Sequence, residues 1–176
     1  MPASDVVSLA GTKRLLTLAI CLASMPCVAA ERPSPDEVVV RVLASPLPSK
    51  DEEKQAFLWN TFANKPEEEL FESYGVDKWK PTYWLFAKGL VEKAKAQKLD
   101  SAALGKALYS VFKDSKDRYA YLPVGAYQTT CDGTPVWIIT VKWESPGWGE
   151  NARLTHIRMF AFEQKTLKRV GFVTCQ

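Results

Sequence analysis

Three runs near the C-terminus repeat with the two-residue period of a strand: Val136–Glu144 (VWIITVKWE), Arg153–Phe162 (RLTHIRMFAF) and Val170–Cys175 (VGFVTC). If the first two form a hairpin across Ser145–Ala152, keeping apolar residues on one face sets a register. Trp143 then opposes Thr155, Val141 opposes Ile157, Ile139 opposes Met159 and Trp137 opposes Ala161. The other face pairs Lys142 with His156, Thr140 with Arg158, Ile138 with Phe160 and Val136 with Phe162. A slip of one residue would turn Lys142, His156 and Arg158 into the core, so the pattern predicts this register. Tyr119–Thr130 (YAYLPVGAYQTT) reads as an irregular edge strand, because Pro123 and Gly125 weaken a central one. Asp132-Gly133 is a two-residue hairpin signal.

From Glu31 to Asp117 the period is helical. Ser34-Pro35-Asp36-Glu37 is a capping box that leads into Val38, Val39, Val42 and Leu43. Ser49–Glu52 is a second box, opening a helix in which Leu58 and Phe62 lie one turn apart. Pro66 with Glu67, Glu68 and Glu69 starts a short third helix, its acidic residues at the positive end of the dipole. A long helix follows from Pro81 to about Gln97, with Trp84, Ala87, Leu90, Val91 and Ala94 as its inward stripe. Asp100 or Ser101 caps a last helix carrying Leu104, Leu108, Val111 and Phe112. Helices first and strands last predict an α+β fold in two layers, N-terminal helices on a C-terminal antiparallel sheet of three to four strands. This layout resembles cystatin-like and NTF2-like folds in outline, and no motif is specific to either.

The first 30 residues have the form of an export signal. Lys13 and Arg14 precede the apolar run Leu15–Ser24, and Val28-Ala29-Ala30 supplies small residues at a cleavage site. The run is shorter than the ~20 residues a permanent span needs, so no stable membrane span is expected after signal removal, and the chain is expected in the periplasm or outside the cell. Residues 31–176 then form one domain, mainly helical over 31–117 and mainly sheet over 118–176. Loss of Lys13, Arg14 and Asp5 takes the formal net charge from +3 to +2. Without a basic footprint or a Gly-rich phosphate loop, nucleic acid is not an expected partner.

Cys131 and Cys175 remain after signal removal. With the first and third runs pointing the same way, they fall at opposite ends of the sheet, separated by well over ~20 Å, whereas a disulfide needs Cα atoms within ~7 Å. Cys131 is then expected as an exposed turn residue and Cys175 as a small buried one. His156 is the one histidine, too few for a metal site of several imidazoles, and no cofactor is implied. No Gly-x-Ser-x-Gly elbow surrounds any serine, so no catalytic set is assigned.

The loop Ser145-Pro146-Gly147-Trp148-Gly149-Glu150-Asn151 places a tryptophan between glycines beside the polar end of the outer sheet face. Trp148, Lys142, His156, Arg158 and Thr140 therefore form the candidate patch for a partner protein or small ligand. The expected function is an exported, non-enzymatic binding domain. One alternative is a small hydrolase or isomerase with His156 as base. Another is a homodimer packed through the apolar end of the outer face (Val136, Ile138, Phe160, Phe162, Val170, Phe172), which is too apolar to stay wet.

Overall fold

β-Branched residues dominate both ends of the domain, and at both ends they become strands. The computed structural model describes residues 32–63, 65, 71, 74–76, 78–116, 118–145 and 152–174, all within the unit Arg32–Gln176. In chain order there is a 3₁₀ turn (Pro35–Glu37), then β1 (Val39–Val42), α1 (Asp51–Phe62) and β2 (Gly75–Val76). These are followed by α2 (Trp79–Ala96), α3 (Ser101–Asp114), β3 (Ala120–Cys131) and β4 (Thr134–Glu144). The chain closes with β5 (Ala152–Arg153), β6 (His156–Glu163) and β7 (Arg169–Thr174). The third helix expected from Pro66, the 146–151 loop with Trp148, Cys175 and the export signal lie outside the described residues.

The first capping box forms, with Glu37 Oε2 accepting from Ser34 N at 2.8 Å and Ser34 Oγ from Asp36 N at 3.2 Å. It caps a single turn. Val38-Val39-Val40 then leaves the helix for β1, which pairs parallel with β3 from Val39↔Gly125 to Val42↔Gln128. The helix expected here is overturned for a physical reason: consecutive β-branched side chains crowd a helix and suit a pleated strand once a partner is supplied. On the outer edge of β1 the carbonyls of Val38 and Val40 accept from α2 side chains, Lys93 Nζ at 2.8 Å and Gln97 Nε2 at 3.1 Å.

The five-stranded sheet runs β1-β3-β4-β6-β7, and β2 pairs separately with β5. It is larger than three to four strands, and mixed, because β1 joins parallel while the other pairs are antiparallel. β3 is internal, not an edge strand. Its irregularity is real: the register with β4 shifts between Pro123 and Gly125, and β1 pairs only from Gly125 onward, so Pro123 sits where β1 asks nothing of it. Asp132 and Gly133 both take positive φ, 51° and 75°, as a tight hairpin turn requires.

Helices cover both faces, so two layers become three. Tyr83, Phe86 and Leu90 of α2 and Leu104, Leu108 and Val111 of α3 pack with Trp137, Ile139, Val141 and Phe160. Leu58 and Phe62 of α1 pack on the opposite face with Tyr127, Val136, Ile138 and Met159. The class remains α+β. Asp100 caps α3 as expected, accepting from Ala103 N at 2.9 Å. Ser49 does not cap α1, because its hydroxyl donates to Asp132 in the hairpin turn. The buried stripe of α2 is Tyr83, Phe86, Ala87, Leu90 and Ala94, which leaves Trp84 at its flank. Tyr83 ties the two helices together, its hydroxyl donating to Leu108 O at 2.6 Å.

The β4–β6 register is one residue away from the expected one. Trp143 pairs with His156, Val141 with Arg158, Ile139 with Phe160 and Trp137 with Phe162. Lys142 opposes Ile157 and Thr140 opposes Met159 on the other face. The expected register took the Lys142, His156 and Arg158 end of the second face as open to solvent. With helices on both faces, apolar alternation no longer distinguishes inside from outside. Trp137 and Trp143 do point inward, and both are buried.

Candidate functional site

The register splits the patch expected from the sequence. Lys142 and Thr140 face the α1 side and are buried; His156 and Arg158 share the Trp143 face. The four do not form one surface. Arg158 is only 7% exposed. Its guanidinium lies 3.7 Å from the centre of the Trp143 ring, 4.2 Å from Tyr119 and 5.4 Å from Tyr121. Nε donates to Thr174 Oγ1 at 3.1 Å and Nη1 donates to the Tyr121 hydroxyl. Three π faces and two hydroxyls replace the water that a charge would otherwise lose at high cost.

The network continues outward. Asp114 Oδ2 lies 3.5 Å from the Tyr121 hydroxyl, and Oδ1 accepts from Arg169 Nη1 at 3.1 Å. Burial pushes the Tyr121 hydroxyl up to about 12, although Arg158 pulls it the other way. Tyr121 therefore stays protonated. It acts as a donor and acceptor within a structural network.

His156 is half-exposed beside the Trp143 ring, and its Nε2 lies 3.6 Å from Glu144 Oε2. Glu144 also accepts from Ser145 N at 2.9 Å. The Ser145 hydroxyl is turned to Glu144 Oε1 at 3.4 Å, not to the imidazole. The pair has the parts of a base and its orienting carboxylate. Cys131, expected exposed, is buried as a free thiol, its Sγ 3.6 Å from Pro48 O. Burial raises its pKa, the opposite of what an activated nucleophile shows. Among the described residues, no cluster of His, Cys, Asp and Glu is arranged to hold a metal, and no helix is long and apolar enough to cross a membrane.

Among the described residues, cavities open elsewhere. One of about 370 Å³ lies between α1 and β7, lined by Lys54, Gln55 and Arg169, with Lys54 already bonded to Asp51 at 3.1 Å. A second, of about 390 Å³, follows the β1 edge near Val42 and Pro46. The third is a cleft of about 200 Å³ between α2 and α3, lined by Trp84, Ala87, Lys88, Val91, Gly105 and Leu108.

Trp84, which lines the third cleft, is 40% exposed and Tyr109 beside it 49%; Leu85, also on α2, is 54% exposed. The Trp84 and Tyr109 rings stack at 6.2 Å, and Lys113 Nζ sits 4.6 Å from the Tyr109 ring centre. The sequence reading missed this surface by assigning Trp84 to the core. A usable signal was present, since five consecutive apolar residues, Tyr83–Ala87, circle a helix and cannot all point inward.

No protein-family model, curated protein or solved structure matches the chain.

Proposed function

We propose that the chain is an exported binding domain whose docking face is the outer surface of α2 and α3. One observation carries this reading: a cleft between two helices lined by the exposed Trp84, with the exposed Tyr109 stacked against it. Such aromatic, concave surfaces are where partners gain most of their binding energy. The outer sheet face expected to serve is covered by α1, and the opposite face by α2 and α3.

The enzymatic alternative, with His156 as base, has the His156–Glu144 contact in its favour. His156 lines none of the cavities described above, which favours the binding reading over this one. The homodimer loses its motive, because Val136 and Ile138 are buried under the chain's own α1.

The test is a Trp84→Ser/Tyr109→Ser double variant, compared with wild type by cross-linking in exported fluid and by thermal unfolding. A docking role predicts a retained fold with loss of specific cross-linked partners. The same partner set in both proteins would refute the docking face.

A further inference from the structure

The α2–α3 surface also carries a charge that says what should bind there. Residues 79–116 contain eight lysines (80, 88, 93, 95, 98, 106, 113 and 116), no arginine, and three acidic residues (Glu92, Asp100 and Asp114). This span alone is +5, against +3 for the whole chain. Lys93 is held by the carbonyls of Asp36 and Val38, on the β1 side of α2. Lys88 lines the cleft, its Nζ 3.7 Å from Glu92 Oε1 in an exposed pair a partner carboxylate can replace, and Lys106 and Lys113 are exposed on α3 around Tyr109.

The shape of the cleft is equally specific. Small residues, Ala87 on α2 and Gly105 on α3, make the hollow, and a Cβ built on Gly105 would meet only Val91 Cγ2, at 3.9 Å. Two packed helices with a hollow between them present a hole for a side-chain knob from a third helix. A bilayer surface would use the exposed apolar groups and the lysines but would leave the hollow unfilled.

We infer that the occupant is an acidic amphipathic helix of another protein, placing an apolar side chain between Trp84 and Gly105 with its carboxylates among Lys88, Lys106 and Lys113. This rests on the docking face proposed above and adds the chemistry of the partner. Apolar insertion gives the affinity, and the lysines set charge preference and salt dependence.

The probe is a synthetic helix with leucines at i, i+3, i+4 and i+7 and glutamates elsewhere, compared with a twin carrying lysines for glutamates. Binding is followed through the Gly105 and Tyr109 amide resonances and by fluorescence anisotropy. The acidic peptide should move both amides and bind roughly tenfold or more tightly than its twin, weakening as salt is raised. Gly105→Leu fills the hollow and should abolish binding with every lysine still in place. Lys106→Glu/Lys113→Glu, at exposed positions that do not threaten the fold, should reverse the preference between the twins.

Equal binding of both peptides at these amides would overturn the acidic partner and leave the docking face standing. Binding to anionic-lipid vesicles with no response to the acidic peptide would overturn it in favour of a membrane surface. No response to any probe would also overturn it, while the Trp84/Tyr109 cross-linking comparison judges the docking face separately.

Discussion

Replacing Arg158 with Met asks whether the buried guanidinium holds the sheet or is merely tolerated by it. Two effects oppose each other. Removing a charge that is 7% exposed relieves a desolvation cost of several kcal/mol. Against this, the change forfeits three ring contacts, the closest at 3.7 Å, worth about 1 kcal/mol each when one cation is shared among them. It also removes charge-assisted hydrogen bonds to Thr174 and the Tyr121 hydroxyl, about 1.5 kcal/mol each, and leaves that hydroxyl buried. The losses sum to about 6 kcal/mol and the relief to about 4, so Arg158→Met should cost about 2 kcal/mol. In urea this lowers the midpoint by about 1 M for an m-value near 2 kcal/mol per molar. Arg158→Lys keeps the charge and loses the flat stack and the fork, and should fall between the two. A Met variant as stable as wild type would refute the idea that the aromatic cage fixes this register.

Gly89→Ala should destabilise by about 1–3 kcal/mol in thermal unfolding despite the better helix propensity of Ala, because its Cβ would lie 2.6 Å from the Pro35 carbonyl oxygen. An unchanged or raised Tm would contradict the close approach of α2 to the Pro35 turn. Tyr121 binds its proton more tightly folded than unfolded, so its contribution is complete below its ordinary value of 10 and is lost as pH rises through about 12. Urea midpoints should therefore fall between those values, and Tyr121→Phe should flatten that slope while lowering stability at neutral pH. In a chain with Cys21, Cys27 and Cys175 changed to Ser, the buried, burial-raised Cys131 thiol should react with a disulfide reagent about a hundredfold more slowly folded than in urea. Equal rates would place it at the surface.

Local signals were legible where the chemistry was local. The Asp132-Gly133 turn, the Asp100 cap of α3 and the Leu58/Phe62 pair of α1 each depend on neighbours within a few residues, and each forms. The misread elements depend on distant chain. Val39–Val42 becomes a strand because β3 supplies an edge for it. The β4–β6 register turned on α1, whose presence on the second face removed the solvent side that the alternation presupposed. Arg158 was assigned to a wet face because no sequence pattern shows that Tyr119, Tyr121 and Trp143 will converge on it. The docking surface was obscured by the phase of α2, where one step around the helix exchanges Tyr83 for Trp84 at the core.

The parallel seating of β1 carries a consequence for how the molecule is completed. Val39 and Gly125 are neighbours in space and 86 positions apart in the chain, so the first strand made has no docking edge until most of the polypeptide exists. The β3–β4 hairpin can close early on its tight turn, whereas seating β1 pays for closing a long loop. Until then the flank of β3 along Gly125–Gln128 stands bare, and a newly synthesised chain is most open to mispairing with its siblings there. Lys93 and Gln97 then act as the latch that ends this vulnerable interval.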